Sequence, residues 1–231
     1  MQPLQPFHGN EHFHPLKIGV MGSASGPQID DPTAREKARI LGREIAKRGY
    51  IFINGACPGL PYDAQKGAQE AGGFTIGVSP AFSEHEHVHE YRSPHDNDVV
   101  IYTGMGFMER DIINIRSSDG VVFISGGIGT LNEFTVAYDE GRPLGIVTNS
   151  GGISNSIPHI VEELCLRKIP PNMVFDDDPK KLLDKLEVVI KKYPLPIHQD
   201  GRVKDELEQK GVRHFNAIDP EEDSSIPGSH G

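Results

Sequence analysis

Short apolar runs recur along most of the chain: Lys17 to Met21 (KIGVM), Tyr50 to Asn54 (YIFIN), Phe74 to Val78, Val99 to Tyr102 (VVIY), Val121 to Ile124 (VVFI), Pro143 to Thr148 (PLGIVT) and Met173 to Phe175. Such runs read as strands, near-continuous in hydrophobicity where both faces are covered. Between them lie helical patterns: Thr33 to Arg48, Tyr62 to Ala71, Met105 to Ser117, Leu131 to Glu140, Ser154 to Arg167 and Asp178 to Lys192. Local signals agree. Asp30, Asp31 or Thr33 can cap the first helix, Pro32 suits its start, and Gly49 stops it. Strands alternating with helices at this spacing predict a doubly wound α/β fold, with a mainly parallel sheet and helices on both faces.

Within the third helical pattern, Met105, Met108, Ile112 and Ile115 form one stripe at three- and four-residue spacing, which is expected to pack on the sheet. Arg110, Asn114 and Ser117 share a different face, where Arg110 and Asn114 can look across at the next loop.

Glycine-bearing loops follow three strands. Gly22 to Gly26 (GSASG) follows the first. Ser23 and Ser25 are either hydroxyl donors to a ligand or parts of a plain tight turn, and the spacing is not that of a dinucleotide fingerprint. Gly55 to Gly59 follows the second, and its Cys57 reads as a small packing residue or, less readily, a reactive thiol. The third is Val121 to Glu133, VVFISGGIGTLNE. A buried strand breaks at Ser125, Gly126 and Gly127, and a helix follows. Strand, glycine turn and helix aim free N–H groups and a positive helix end at an anion, so Gly126, Gly127, Gly129 and Thr130 are candidates to hold a phosphate.

Residues 79 to 98 break the rhythm, with His85, His87, His89 and His95 among Glu84, Glu86 and Glu90. Alternating histidines on an extended segment would share one face, as metal ligands must, but a solvated surface loop fits the composition better, and no metal site is assigned.

The chain has 231 residues, enough for one sizeable core, and a net charge of −10. That balance argues against nucleic acid or an anionic membrane surface as partner. Two cysteines do not make a disulfide framework, and no segment approaches a membrane span, so a cytoplasmic protein is expected. Residues 1–15 read as a flexible arm and 16–193 as the folded domain. Residues 194–231, with eight acids against four Lys or Arg, read as an acidic, largely disordered tail.

SGGIGTLNE resembles the PGGxGTxxE signature of the lysine-decarboxylase-like, "lonely guy"-type Rossmann proteins, with Ser125 in place of the usual proline. That group includes nucleoside-monophosphate phosphoribohydrolases. The resemblance implies a Rossmann-like fold over residues 17–193, a glycine-rich ligand loop at Gly55, and a functional arginine and glutamate matched by Arg110 and Glu133. Asp111 stands where those hydrolases have lysine. The stretch ERDIINIRSSDGVV looks closer to a molybdenum cofactor carrier-like branch with an R-N-x-I-N-x-x-S-S-D pattern, which Arg110, Ile113, Asn114, Ser117, Ser118 and Asp119 fit. From the residues alone, Glu133 reads equally as the second half of a Thr130-x-x-Glu133 capping box.

The resemblance implies hydrolysis of the N-glycosidic bond of an AMP-like nucleoside 5′-monophosphate to base and ribose 5-phosphate. Glu133 and Arg110 would be catalytic, and Gly22, Ser23, Gly55, Asn114, Gly126, Gly127, Gly129 and Thr130 would hold the nucleotide, with no metal or organic cofactor. The alternative is a non-catalytic sensor, or a carrier of a phosphorylated cofactor such as molybdopterin. A lysine decarboxylase would need a pyridoxal-phosphate lysine motif, which is not found. A homodimer or larger homo-oligomer is also implied.

Overall fold

The computed structural model describes residues 15–193; the arm before residue 15 and the acidic tail lie outside the described residues. Seven strands form one sheet in which every pairing is parallel: β1 (Lys17–Gly22), β2 (Ile51–Asn54), β3 (Thr75–Ser79), β4 (Val99–Tyr102), β5 (Gly120–Ile124), β6 (Leu144–Val147) and β7 (Met173–Asp176). Their order is β4-β3-β2-β1-β5-β6-β7. The helices are α1 (Pro32–Lys47), α2 (Leu60–Glu70), α3 (Glu84–His89), α4 (Gly106–Arg116), α5 (Ile128–Asp139), α6 (Gly152–His159) and α7 (Pro179–Lys192). This is the doubly wound α/β, Rossmann-like arrangement that the alternation of patterns implied.

Apolar residues of α1, α2 and α7 cover one face of the sheet, around Val20, Phe52 and Val122. Residues of α5 and α6, with Ile115 of α4, cover the other, around Met21, Val121 and Phe123. β5 is buried at every position, as a central strand covered on both faces must be. Asp31 caps α1 by accepting from the Thr33 amide at 2.9 Å, and Asp178 caps α7. Among the described residues no helix is long and apolar enough to cross a membrane.

The sheet turns back on itself between β1 and β5. The chain winds outward through β2, β3 and β4, then returns to the other side of β1 and winds through β6 and β7. The loops after β1 and β5 therefore diverge, and the crevice between them at the carboxyl ends is where open α/β sheets bind ligands.

Two local expectations fail. The histidine segment, expected as a solvated surface loop, is folded: residues 84–89 form α3, with Ser83 as its cap. His87 is fully buried, with its Nδ1 2.8 Å from Ser79 Oγ and its Nε2 2.9 Å from the Pro94 carbonyl, so it ties the segment to β3. Helical spacing turns His87 inward and away from His85 and His89, whose rings lie together 4.5 Å apart, and among the described residues no group of three candidate metal ligands forms.

The stripe expected to bury on α4 is the second: of its four residues only Ile115 is fully buried against the sheet. Met105 and Met108 are about half exposed, while Arg110, Asp111, Asn114 and Ile115 are the buried residues. The reason is position. The inner side of α4 faces α5 and the Gly55 loop beyond the strand ends, where a cleft takes the place of an apolar sheet.

Candidate active site

The turn after β5 is held from several directions. Ser23, at the end of β1, accepts from the Gly126 amide at 2.8 Å and donates to Ser125 Oγ at 3.2 Å. Ser150 Oγ accepts from the Ser125 amide at 2.8 Å, and Ser154 Oγ donates to the Ser125 carbonyl at 2.8 Å. The Ile153 amide donates to the Gly126 carbonyl. These bonds support a left-handed backbone at Ser125 (φ 55°) and at Gly126 (φ 102°), where a Cβ would run into Thr130. Ser23 is thus spent inside the protein, fixing the loop. Gly22 closes β1 against Ile124, so its lack of a side chain serves strand packing.

α5 begins at Ile128 with Gly127 as its cap residue and no side-chain cap. Thr130 and Glu133 therefore do not form the capping box that their spacing allows: the helix starts too early, and Glu133 lies in its second turn. The first N–H groups of α5 are left for an outside acceptor. Gly127 and Gly129 face open space, and Ile128 is 85% exposed. A positive, uncapped helix end at the switch point has the chemistry to accept an anion.

One turn further along α5, buried charges gather. Arg110 and Asp111 from α4 and Glu133 from α5 are only 4%, 5% and 8% exposed. Arg110 Nη1 lies 3.2 Å from Asp111 Oδ1 and 4.0 Å from Glu133 Oε1. Asp111 Oδ2 also accepts from Asn132 Nδ2 at 3.2 Å. The guanidinium occupies the space that a Gly55 side chain would fill, so this glycine makes room for a charge. Arg110 Nε has no partner among the described residues. Asn114 donates to Met21 Sδ at 3.2 Å, and its Oδ1 is likewise unpaired. Unpaired buried polar atoms of this kind ask for a water or a ligand.

Burial drives the titration of the cluster. Loss of solvent, then the neighbouring Asp111 charge, pushes the Glu133 carboxyl up to about 8, against the opposing pull of Arg110. Burial also raises Asp111, opposed by Arg110 and the Asn132 hydrogen bond. Cys57 lies within the field of these groups; burial pushes its thiol up to about 11, so it is a neutral wall, not a thiolate nucleophile.

On the opposite side of the α5 end runs an open groove of about 310 Å³, lined by Gln28, Gly127, Ile128, Leu131, Ile153 and Ser156. Leu131 and Glu133, two residues apart, point to different sides of the helix, so the uncapped end separates the groove from the charge cluster. Of the residues named from sequence, Arg110, Glu133, Gly55 and Asn114 border the charge cluster, and Gly127, Gly129 and Thr130 form the helix end. Ser150, Ser154 and Asn132 were not foreseen, since no motif or spacing marks them.

The profile of the SLOG cluster4 family matches residues 15–182. The chain belongs to that family. This SLOG cluster4 protein is 33% identical over 107 residues to the cytokinin riboside 5′-monophosphate phosphoribohydrolase of Mycobacterium tuberculosis, a match that spans 46% of this chain and 54% of the relative. It is also similar to the molybdenum cofactor carrier protein of Chlamydomonas reinhardtii, at 27% identity and TM-score 0.61, covering 77% of this chain and 99% of the carrier. The molybdenum cofactor binding protein of Rippkaea orientalis aligns at 28% identity and TM-score 0.59, over 77% and 98%. The lysine-decarboxylase-like resemblance drawn from SGGIGTLNE is thereby shown.

Proposed function

We propose that this SLOG cluster4 protein hydrolyses the N-glycosidic bond of an AMP-like nucleoside 5′-monophosphate, giving free base and ribose 5-phosphate. The observation that carries the reading is the meeting of Arg110 and Glu133, from different helices, one turn from an uncapped helix end at the switch point. The 5′-phosphate accepts from the N–H groups that open α5. The ribose then lies along the second turn of α5, beside Glu133. Breaking the C1′–N bond builds positive charge on the sugar and negative charge on the base, and a cluster that joins carboxyl groups to a guanidinium can answer both needs. The curated relative with this activity supports the reading, though it matches over about half its own length. The cytoplasm is the matching compartment, since Cys57 and Cys165 are both free.

A second reading is a non-catalytic carrier or sensor of a phosphorylated cofactor. Two observations favour it: Asp111 pairs with Arg110, and nearly the whole length of two molybdenum cofactor proteins aligns with this chain. The helix end that suits a nucleotide phosphate suits a pterin phosphate equally.

We also propose self-association through the β4 edge. Val99, Ile101, Met105, Phe107 and Met108 expose apolar surface around an edge strand, next to the helix that carries Arg110.

A panel of nucleoside monophosphates, scored for both binding and free-base release, tests the reading. Release of base that is lost in Glu133→Gln supports hydrolysis. Binding with no release across the panel hands the site to the carrier reading.

A further inference from the structure

Two carboxylates and one guanidinium share a space almost closed to solvent. If all were ionised, the cluster would hold an excess negative charge where water cannot screen it, a costly state. Among the described residues no second cation reaches it. The groups facing Glu133 are Arg110 and Asp111 from α4 and the Cys57 thiol from the loop after β2, and Asn132 of α5 binds Asp111. The two acids are also not equivalent. Asp111 is nearer the guanidinium, at 3.2 Å against 4.0 Å, and accepts from Asn132, whereas the Glu133 carboxyl takes no hydrogen bond from the described residues. The negative charge is therefore better held on Asp111, and the proton on Glu133.

We propose that Asp111 is a positioning residue that keeps a proton on Glu133, so that Glu133 meets the ligand as a proton donor and selects a heterocycle with an acceptor nitrogen. The inference rests on the hydrolase reading for its chemistry, but the proton sharing stands on the cluster itself. In the reaction, Glu133 gives its proton to a ring nitrogen of the departing base. The C1′–N bond breaks and its electron pair goes to the base. Water adds to C1′ and passes a proton to the Glu133 carboxylate, which restores the starting state. The aspartate in place of a lysine then has a role: it holds the acid form of its neighbour near neutral pH.

The test is a carboxyl carbon-13 NMR titration of the full chain, with Glu133→Gln identifying the resonance. In the wild type, Glu133 is expected to titrate near 8. In Asp111→Asn the midpoint is expected to fall by about one unit or more, since a like charge has gone, and Asp111→Glu should restore it. If base is released, the basic limb of the turnover–pH profile should move down with the same midpoint. A wild-type Glu133 titrating in the ordinary glutamate range, or a midpoint that Asp111→Asn leaves in place, overturns the proposal. Should Asp111→Asn fail to fold, the wild-type midpoint decides alone. Absence of base release in the nucleotide panel overturns the hydrolase reading without touching the titration, so the two failures are distinct.

Discussion

β5 and β4 are written in nearly the same letters, VVFI and VVIY, yet they have opposite fates. β5 lies at the centre of the sheet with every residue buried, while β4 closes one edge with Val99 and Ile101 more than 40% exposed. α4 connects them and shares in the contrast, presenting Arg110, Asp111 and Asn114 inward and Met105 and Met108 outward. The difference teaches that burial here follows the place in the strand order, not residue type. Beyond the strand ends the usual sorting is reversed, because the inner side of α4 meets the buried carboxyl of Glu133 there in place of an apolar sheet. The apolar surface left outside is the face proposed above for self-association.

The largest effect that probes this contrast is Phe123→Ala in β5. Phe123 is fully buried and packs edge-on against Phe134, with ring centres 5.7 Å apart. The substitution should lower stability by about 3–5 kcal/mol in chemical denaturation.

Glu133→Gln comes next and sharpens the charge cluster that the inward face of α4 shares with α5. It should lower base release by ~10²-fold or more while the fold is kept. It should also change how stability depends on pH. The folded carboxyl titrates at about 8 and an unfolded glutamate at about 4.3, so between these values the folded state retains a proton that the unfolded chain has lost. Wild-type stability therefore falls as pH rises through that window, by at most about 1.4 kcal/mol per unit, and levels off above it. The glutamine variant should lack this slope, as thermal midpoints measured across pH would reveal.

Gly55→Ala is a smaller intervention in the same place. Its methyl group would occupy the space of the Arg110 guanidinium, displacing a flexible side chain but leaving the core alone. Nucleotide affinity measured by calorimetry should drop about tenfold, or ~1.4 kcal/mol, with the unfolding midpoint little changed.

The smallest effect on folding is expected from Ile101→Lys combined with Met108→Lys, on the outward side. Both residues are about half exposed, so the stability of a single chain should stay within about 0.5 kcal/mol for each change. The association state, read by light scattering, should shift toward monomer. A self-associated wild type that the double variant leaves intact would show that this face is not the contact.

The apolar runs and glycine turns made the seven strands legible, and the SGGIGT turn pointed to the helix end. Glu133 was harder to read, because a capping box and a site glutamate share one spacing; the early start of α5 excludes the capping box. The α4 stripe misled because helical periodicity identifies two faces without saying which one meets the sheet. The histidine segment reads as a solvated loop because its composition carries no helical stripe, yet Ser83 caps a short helix there and His87 is buried.

Local order was determined by the sequence alone, since strand and helix periods, caps and glycine breaks act over a few residues. The site was decided only by the tertiary structure. The Gly126 amide meets the Ser23 hydroxyl across 103 positions, and Arg110 fills the space left by Gly55 from another helix. Contacts so distant along the chain arise from the strand order. That order is set by which whole arrangement buries the most apolar surface, a property of the complete fold that no single stretch carries.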